Sequence, residues 1–242
     1  MIQVQTILQS VLNYALPPRC PSCGQIVARD NQLCVLCWQS LEFLTDVGCV
    51  LCGDLVQYSG QICAPCLANP PDHDGVRAAV AYGDIARTLV LRFKYGGRTG
   101  LARIIAGAML RNIDAKDALI IPVPLHRWRI WGRGFNQSAL IANHLARLSG
   151  NIICLDGLVR IRRTPPMRGL GAKARAQMVR GVFAVTAVKR SLFAGKTVYL
   201  IDDVYTSGAT ANACAKVLKR AGAAKVIILC WARVMRDSAE RD

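Results

Sequence analysis

Acidic residues are scarce in this chain: 15 Asp and Glu stand against 31 Lys and Arg among 242 residues, a formal charge of +16. The deficit is uneven. Between Asp117 and Asp202 the single acid is Asp156, while Arg127, Arg129, Arg133, Arg147, Arg160, Arg162, Arg163, Arg168, Lys173, Arg175 and Arg180 all lie in that span. A merely solvated face usually mixes signs, so a one-signed stretch points to phosphorylated or polyanionic partners and says nothing about fold. Aromatics are also few, at 6%, yet hydrophobic residues make up 52%. That is enough to bury one good-sized core beside a small accessory module, which excludes a disordered chain. Long apolar runs are missing: no stretch of about 18 uninterrupted apolar residues occurs, so nothing argues for a membrane span. The N-terminal MIQVQTILQSVLNYALPP lacks the basic region and unbroken apolar core of an export signal, and a cytoplasmic protein is expected. Ile7, Leu8, Val11 and Leu12 fit one face of a short N-terminal helix packed on the protein body. Histidine is limited to His73, His126 and His144, which leaves few candidates for a general base near neutral pH.

Cysteine, by contrast, is abundant. Of eleven, eight fall in the first 66 residues as four CxxC pairs: Cys20 and Cys23, Cys34 and Cys37, Cys49 and Cys52, Cys63 and Cys66. The segment CPSCGQIVARDNQLCVLC aligns without a gap on CVLCGDLVQYSGQICAPC, sharing Gly24/Gly53, Val27/Val56 and Gln32/Gln61 as well as the cysteines. Each repeat has the spacing of a zinc ribbon, in which two tight knuckles supply four thiolates to one tetrahedral ion. A glycine after the first knuckle suits a turn with positive φ. A disulfide framework fits poorly without an export signal. Spacing leaves open whether neighbouring pairs share an ion or the pairing is cross-braced. A closed four-thiolate site has no open position for chemistry, so the zinc is expected to be structural. Cys154, Cys214 and Cys230 sit in apolar surroundings and read as core residues.

After the linker LANPPDHDG the pattern changes. VRAAVAY, ALIIPV, VFAV, TVYLID and KVIILCW read as strands, and DIARTLVLRFKY, GLARIIAGAMLRNI, SALIANHLARLSG and SGATANACAKVLKRAG as helices, with PLHRWRIWGRGFNQ as a basic loop. Gly150 can close the third of these helices. Alternation of strand and helix predicts an α/β body with a parallel sheet and right-handed crossovers, over residues 71–242. Residues 1–70 form the N-terminal helix and double ribbon. Ligands of such sheets bind beyond the carboxyl ends of the strands, where both unusual loops fall.

In VYLIDDVYTSGAT, two aspartates follow an apolar run and precede small and hydroxyl residues. Thr206, Ser207, Gly208, Ala209 and Thr210 lead into a helix N-terminus, where unpaired N–H groups and the helix dipole favour a phosphate. Asp202 and Asp203 would repel that phosphate, so they must face another part of the same ligand. A vicinal diol satisfies this: a ribose offers hydroxyl donors to the carboxylates and a 5′-phosphate to the loop.

These residues carry a family resemblance. LIDDVYTSGAT resembles the phosphoribosyl pyrophosphate (PRPP) signature of type I phosphoribosyltransferases. Together with PPRCPSCG and the later CxxC pairs, LRFKYGGR, and IIPVPLHRWRIWGRGFNQSALIA, it resembles the ComF family of competence-linked, phosphoribosyltransferase-like proteins with zinc ribbons. The resemblance implies a type I phosphoribosyltransferase-like sheet, a PRPP site and a role in DNA uptake or utilisation, alongside other competence proteins. Asp202 and Asp203 would bind the ribose hydroxyls within the segment Val204, Tyr205, Thr206, Ser207, Gly208, Ala209 and Thr210, whose last five residues meet the 5′-phosphate. Pro124, Leu125 and His126 stand at the position where backbone amides would meet the pyrophosphate, with Arg127 and Arg133 in a mobile cover supplying charge. Mg2+ is expected between pyrophosphate and ribose. In a transfer reaction Asp202 and Asp203 would stabilise the positive charge that develops on the ribose ring. Whether transfer occurs, and to which acceptor, stays open. Met167 and Met178 depart from the family's usual Gln and Asn, while Arg175 matches. The competing class is a non-catalytic single-stranded DNA binder, in which Trp128, Trp131 and Phe135 stack bases inside the positive span.

Overall fold

The computed structural model describes residues 17–44, 48–165 and 171–235. The expected N-terminal helix over Ile7 to Leu12 and the departure at Met167 lie outside the described residues. The strands are β1 (Gly75–Ala81), β2 (Leu119–Pro122), β3 (Ile152–Ile153), β4 (Leu158–Arg160), β5 (Phe183–Val185), β6 (Thr197–Tyr205) and β7 (Lys225–Arg233). The helices are α1 (Val35–Gln39), α2 (Ala64–Ala68), α3 (Asp84–Tyr95), α4 (Leu101–Met109), α5 (Arg127–Arg133), α6 (Gln137–Ser149), α7 (Ala172–Met178) and α8 (Ala209–Arg220).

Five strands form one sheet in the order β1-β7-β6-β2-β3, every pair parallel. The result is a parallel α/β sheet, preceded in the chain by two four-cysteine clusters. Side chains alternate across β6 and β7 with the strand period of two. Tyr199, Ile201, Ile227, Leu229 and Trp231 face one core with α3, α4 and α6. Val198, Leu200, Val226, Ile228 and Cys230 face a second core with α8 and β5. Cys154, Cys214 and Cys230 are buried in this second core, as the sequence predicts.

Three stretches differ from the sequence reading. VFAV does form a strand, but β5 leaves the main sheet and pairs antiparallel with β4, a short strand that periodicity does not single out. The run TVYLID continues to Tyr205, so both aspartates belong to the strand itself. PLHRWRIWGRGFNQ is not all loop: residues 127–133 form α5, started by His126, whose ring accepts the Trp128 N–H, and stopped by Gly134 at φ +81°. The next helix, α6, starts where the Asn136 side chain accepts from Ser138 N and ends at Gly150 with φ +73°, as expected from a C-terminal glycine.

The ribbons repeat in space as in sequence. The sulfurs of Cys20, Cys23, Cys34 and Cys37 lie within 4.8 Å of one another, and so do those of Cys49, Cys52, Cys63 and Cys66. Pairing is therefore sequential, and the cross-braced alternative falls away. The Cys23–Cys34 and Cys52–Cys63 sulfurs are 3.6 Å apart, close to the roughly 3.8 Å edge of a tetrahedron with Zn–S bonds of about 2.3 Å. The donor set and its spacing thus fit zinc. In each knuckle a glycine with positive φ, Gly24 at +83° and Gly53 at +70°, donates its N–H to the carbonyl of Cys20 or Cys49. Matching bridges, Arg19 to Ile26 and Gly48 to Leu55, close both hairpins. Burial opposes ionisation of Cys20 and Cys49, yet surrounding backbone N–H groups hold these thiols down, at about 6 and about 7. All eleven cysteines are free of disulfides.

Elemental analysis of the purified chain is expected to find two zinc ions, one per cysteine cluster. Cys23→Ser/Cys34→Ser should remove one equivalent and Cys52→Ser/Cys63→Ser the other. Loss of both ions from either pair would contradict sequential pairing.

Candidate anion and ribose site

The end of β6 is where the sequence concentrates its acids, and the strand period separates them. Asp203 follows the face of Tyr199 and Ile201, towards α3, and its Oδ2 lies 2.8 Å from Nζ of Lys94. Burial works against the Lys94 ammonium, but the charge and hydrogen bond of Asp203 hold it above the ordinary lysine range. Asp202 follows the other face and lines a cleft of about 260 Å³ together with Arg175 and the segment Val204 to Ala211. Burial, and then the neighbouring Asp203 charge, push the Asp202 carboxyl up to about 7. Its Oδ1 accepts the Asp203 N–H at 2.9 Å.

The rest of that cleft brings hydroxyls, an arginine and an uncapped helix start together. Val204 and Tyr205 complete β6, Thr206 and Ser207 are exposed, and Gly208 enters α8 with φ +75° and ψ −1°. Only glycine suits this position: its conformation is left-handed, and an added Cβ would collide with the Tyr205 hydroxyl. Ala209 and Thr210 are the first residues of α8, a helix whose N-terminus carries no side-chain cap and no acid in its first turn. Such an end leaves N–H donors and a positive dipole facing the loop. Arg175, from α7, donates through Nη1 to Thr206 Oγ1 at 3.1 Å, while its Nε is buried without a partner.

Pro124, Leu125 and His126 follow β2, which lies beside β6 in the sheet with Pro122 paired to Ile201. The two predicted loops therefore leave adjacent strand ends on the same edge. Desolvation and the charges of Arg127, Arg160, Arg163 and Arg129 hold His126 below the usual histidine range. Arg160 and Arg163 thus approach this edge from a distant part of the acid-poor span. Arg127 is exposed at the start of α5. Arg133, at its end, is held by Gln137 Oε1 at 3.2 Å, by the Tyr95 hydroxyl at 3.4 Å and over the Tyr95 ring at 5.2 Å. Phe135 stacks on Phe93. Trp128 and Trp131, by contrast, are 52% and 81% exposed and meet edge to face, so neither is a core anchor.

Three functional neighbours escape sequence reasoning. Lys94 lies in LRFKYGGR, where nothing local marks it as the partner of Asp203. His73, in the linker, is buried, with Nε2 3.1 Å from the Tyr205 hydroxyl, and burial drives it down to about 4. Arg233, at the end of β7, is buried with its guanidinium over the Tyr205 ring. The one legible signal was at Arg233, a charged residue directly after the apolar run VIILCWA.

Two stability measurements check this electrostatic arrangement. Asp202 titrates near 7 in the folded chain and at about 4 when unfolded, so its charge costs stability above pH 7, a cost that fades as pH falls towards 4. Asp202→Asn should raise the melting temperature at pH 8 by about 2–4 °C, on the order of 1 kcal/mol, and give no gain near pH 4. Lys94→Met should leave Asp203 buried and unpaired and cost roughly 3 kcal/mol. In the Lys94→Met/Asp203→Asn double variant most of that loss should return, as thermal or urea denaturation would show.

Residues 11–67 match the family described as Double zinc ribbon domain. Competence protein F of Haemophilus influenzae is 33% identical over 177 residues, which span 69% of this chain and 76% of that protein. The DNA utilization protein YhgH of Salmonella typhi is 29% identical over 178 residues, 70% of this chain and 77% of that protein. Among solved structures, glutamine phosphoribosylpyrophosphate amidotransferase from B. subtilis is similar over 58% of this chain and 30% of its own, at a TM-score of 0.39 and 21% identity. With a relative this similar across more than two thirds of both chains, and with the double ribbon in place ahead of the parallel sheet, the chain belongs to the ComF family.

Proposed function

We propose that this protein binds PRPP with Mg2+ at the carboxyl end of β6 and acts in DNA uptake or utilisation, in the cytoplasm and alongside other competence proteins. The observation that carries the reading is the continuity of one segment: the carboxylate of Asp202 and the anion loop Thr206 to Thr210 line the same cleft, with Arg175 on Thr206. Asp202 is the first acceptor for the ribose hydroxyls. Asp203, whose charge Lys94 balances on the opposite face of the strand, is the second for a ligand that reaches across the end of β6. The 5′-phosphate sits on the free N–H groups at the start of α8, where Gly208 lets the backbone approach. Pyrophosphate lies towards Pro124, Leu125, His126, Arg127 and Arg133, and Mg2+ neutralises it there when bound.

In this reading the carboxylates also suit a transfer step. Departure of pyrophosphate from C1 leaves positive charge on the ribose ring, and a carboxylate beside the ring stabilises it. Burial and the Asp203 charge raise the Asp202 carboxyl, so activity of this kind rises with pH as that group ionises. The domain division follows the chemistry: residues 1–70 brace, and residues 71–242 bind.

A second reading rests on the exposed Trp128 and Trp131 of α5, set among Arg127, Arg129 and Arg133. Aromatic faces within a positive surface hold single strands by stacking and charge without reading sequence. In that reading the sheet is a scaffold for a DNA-binding competence factor.

Calorimetric titration of PRPP with Mg2+ separates the two. Wild-type binding that weakens at least 100-fold, about 2.7 kcal/mol, in Asp202→Asn/Asp203→Asn supports the PRPP site, and pyrophosphate release with one acceptor from a panel of bases makes the protein an enzyme. Absence of wild-type binding, with strongly salt-dependent single-strand affinity lost in Trp128→Ala/Trp131→Ala, favours the second reading.

A further inference from the structure

Arg233 is among the largest fully buried side chains, and its surroundings join two parts of the molecule that the sequence keeps far apart. From the end of β7 its Nη1 donates to the carbonyl of Cys52, and its Nη2 lies 3.6 Å from the Cys52 sulfur and 3.5 Å from Oδ1 of Asp54. On its other side the guanidinium covers the Tyr205 ring, 5.3 Å from its centroid. Tyr205 and Arg233 are register partners in β6 and β7, and Val234 N donates to the Tyr205 carbonyl at 3.0 Å. The Tyr205 hydroxyl is held by His73 and is the surface against which Gly208 closes the anion loop. A short chain of contacts therefore runs from a zinc-ligating cysteine of the second ribbon, through Arg233 and Tyr205, to the turn at Gly208.

The two ribbons differ here although their folds repeat. Asp54 occupies the place of Gln25 in the first repeat, so only the second knuckle offers a carboxylate to a buried guanidinium. The second knuckle is also pressed against the sheet: an added Cβ at Gly53 would lie 3.0 Å from the Val76 carbonyl, and one at Gly75 would lie 3.1 Å from the Val50 carbonyl. The first ribbon meets the body through apolar packing of Cys20, Leu33 and Leu41, and through a bond from Arg92 to the Pro21 carbonyl. Burying a cation is costly unless it is paired. The acceptors Arg233 finds on the second ribbon meet that cost, and they hold the guanidinium over the Tyr205 ring.

We propose that Arg233 is a positioning residue that couples the second zinc ribbon to the anion loop. Groups that hydrogen-bond metal-bound sulfur orient the ligand and share in metal affinity, and the coupling runs both ways: a closed second ribbon fixes Tyr205 and Gly208, and a fixed Tyr205 steadies Cys52. The first ribbon lacks this link and braces the helical face alone. The consequence for affinity rests on the PRPP reading above; the coupling itself does not.

Hydrogen exchange on the ligand-free protein tests the coupling directly. In Arg233→Met, exchange over residues 204–211 should quicken about tenfold with residues 20–37 unchanged, and one of the two zinc ions should pass faster to a chromogenic chelator. Arg233→Lys should fall between, since a single ammonium keeps the charge but cannot reach Cys52 and Asp54 through two separate nitrogens as the guanidinium does. If Arg233→Met does not fold, Arg233→Lys and Tyr205→Leu decide, and each must quicken both loop exchange and release of one zinc ion. Unchanged loop exchange in the folded variants overturns the proposal, as does equal acceleration at both ribbons. Titration of PRPP with Mg2+ on the same samples should show affinity about tenfold weaker in Arg233→Met. A wild type that fails to bind PRPP, with coupled exchange intact, sinks the ligand reading and leaves the coupling standing. Normal PRPP binding with uncoupled exchange does the reverse.

Discussion

Two neighbouring carboxylates at the end of a strand buried on both faces pose an electrostatic problem that the surrounding structure answers in two ways. Successive side chains of a strand point to opposite faces, so the acids part. Asp203 meets Lys94 from α3 and keeps its charge paired. Asp202 faces a cleft whose other members are hydroxyls, small residues and Arg175, and its proton affinity rises to about 7. Carboxylates that differ in environment differ in role. A strand ending in two acids is a poor choice for stability alone; the arrangement is intelligible as a site that accepts hydroxyl donors.

The acid pair also explains the placement of the basic residues. The loop after β6 reaches a helix N-terminus free of acids, and the loop after β2 leads into Arg127, Arg129 and Arg133 of α5. Both leave adjacent strands at their carboxyl ends. Positive potential, helix dipole and unpaired N–H groups thus face the same solvent edge as the Asp202 carboxylate. A ligand with phosphate groups at its ends and hydroxyls between them matches that order of charges.

The ribbons solve a different problem. Segments this short bury too little apolar surface to fold alone, and four thiolates around one ion supply the missing free energy. Having folded, they are not equivalent. The first packs on the apolar face over α3 and α4 through Leu33 and Leu41. The second reaches the strand ends, where Asp54 and Cys52 receive Arg233. The internal repeat thus forms two similar modules with different neighbours, and Asp54, standing where the first repeat has Gln25, gives the second its acceptor for Arg233.

The sequence by itself determined what depends on local chemistry. Cysteine spacing specifies the knuckles, strand-helix alternation specifies a parallel sheet, and the run from Asp202 to Thr210 specifies a carboxylate pair next to an anion loop, because all of these act over a few residues. The tertiary structure alone decided what depends on distant partners. Lys94 finds Asp203, His73 finds Tyr205, and Arg233 finds Cys52 across 181 residues of chain; no local pattern encodes such meetings. The same holds for α5: seven residues are too few for a stable isolated helix, and the turn forms because His126 caps it, Arg133 is held by Gln137 and Tyr95, and Phe135 packs on Phe93. Sequential zinc pairing was likewise undecided by spacing. The fold settled it by bringing the sulfurs of Cys20, Cys23, Cys34 and Cys37 together, and separately those of Cys49, Cys52, Cys63 and Cys66.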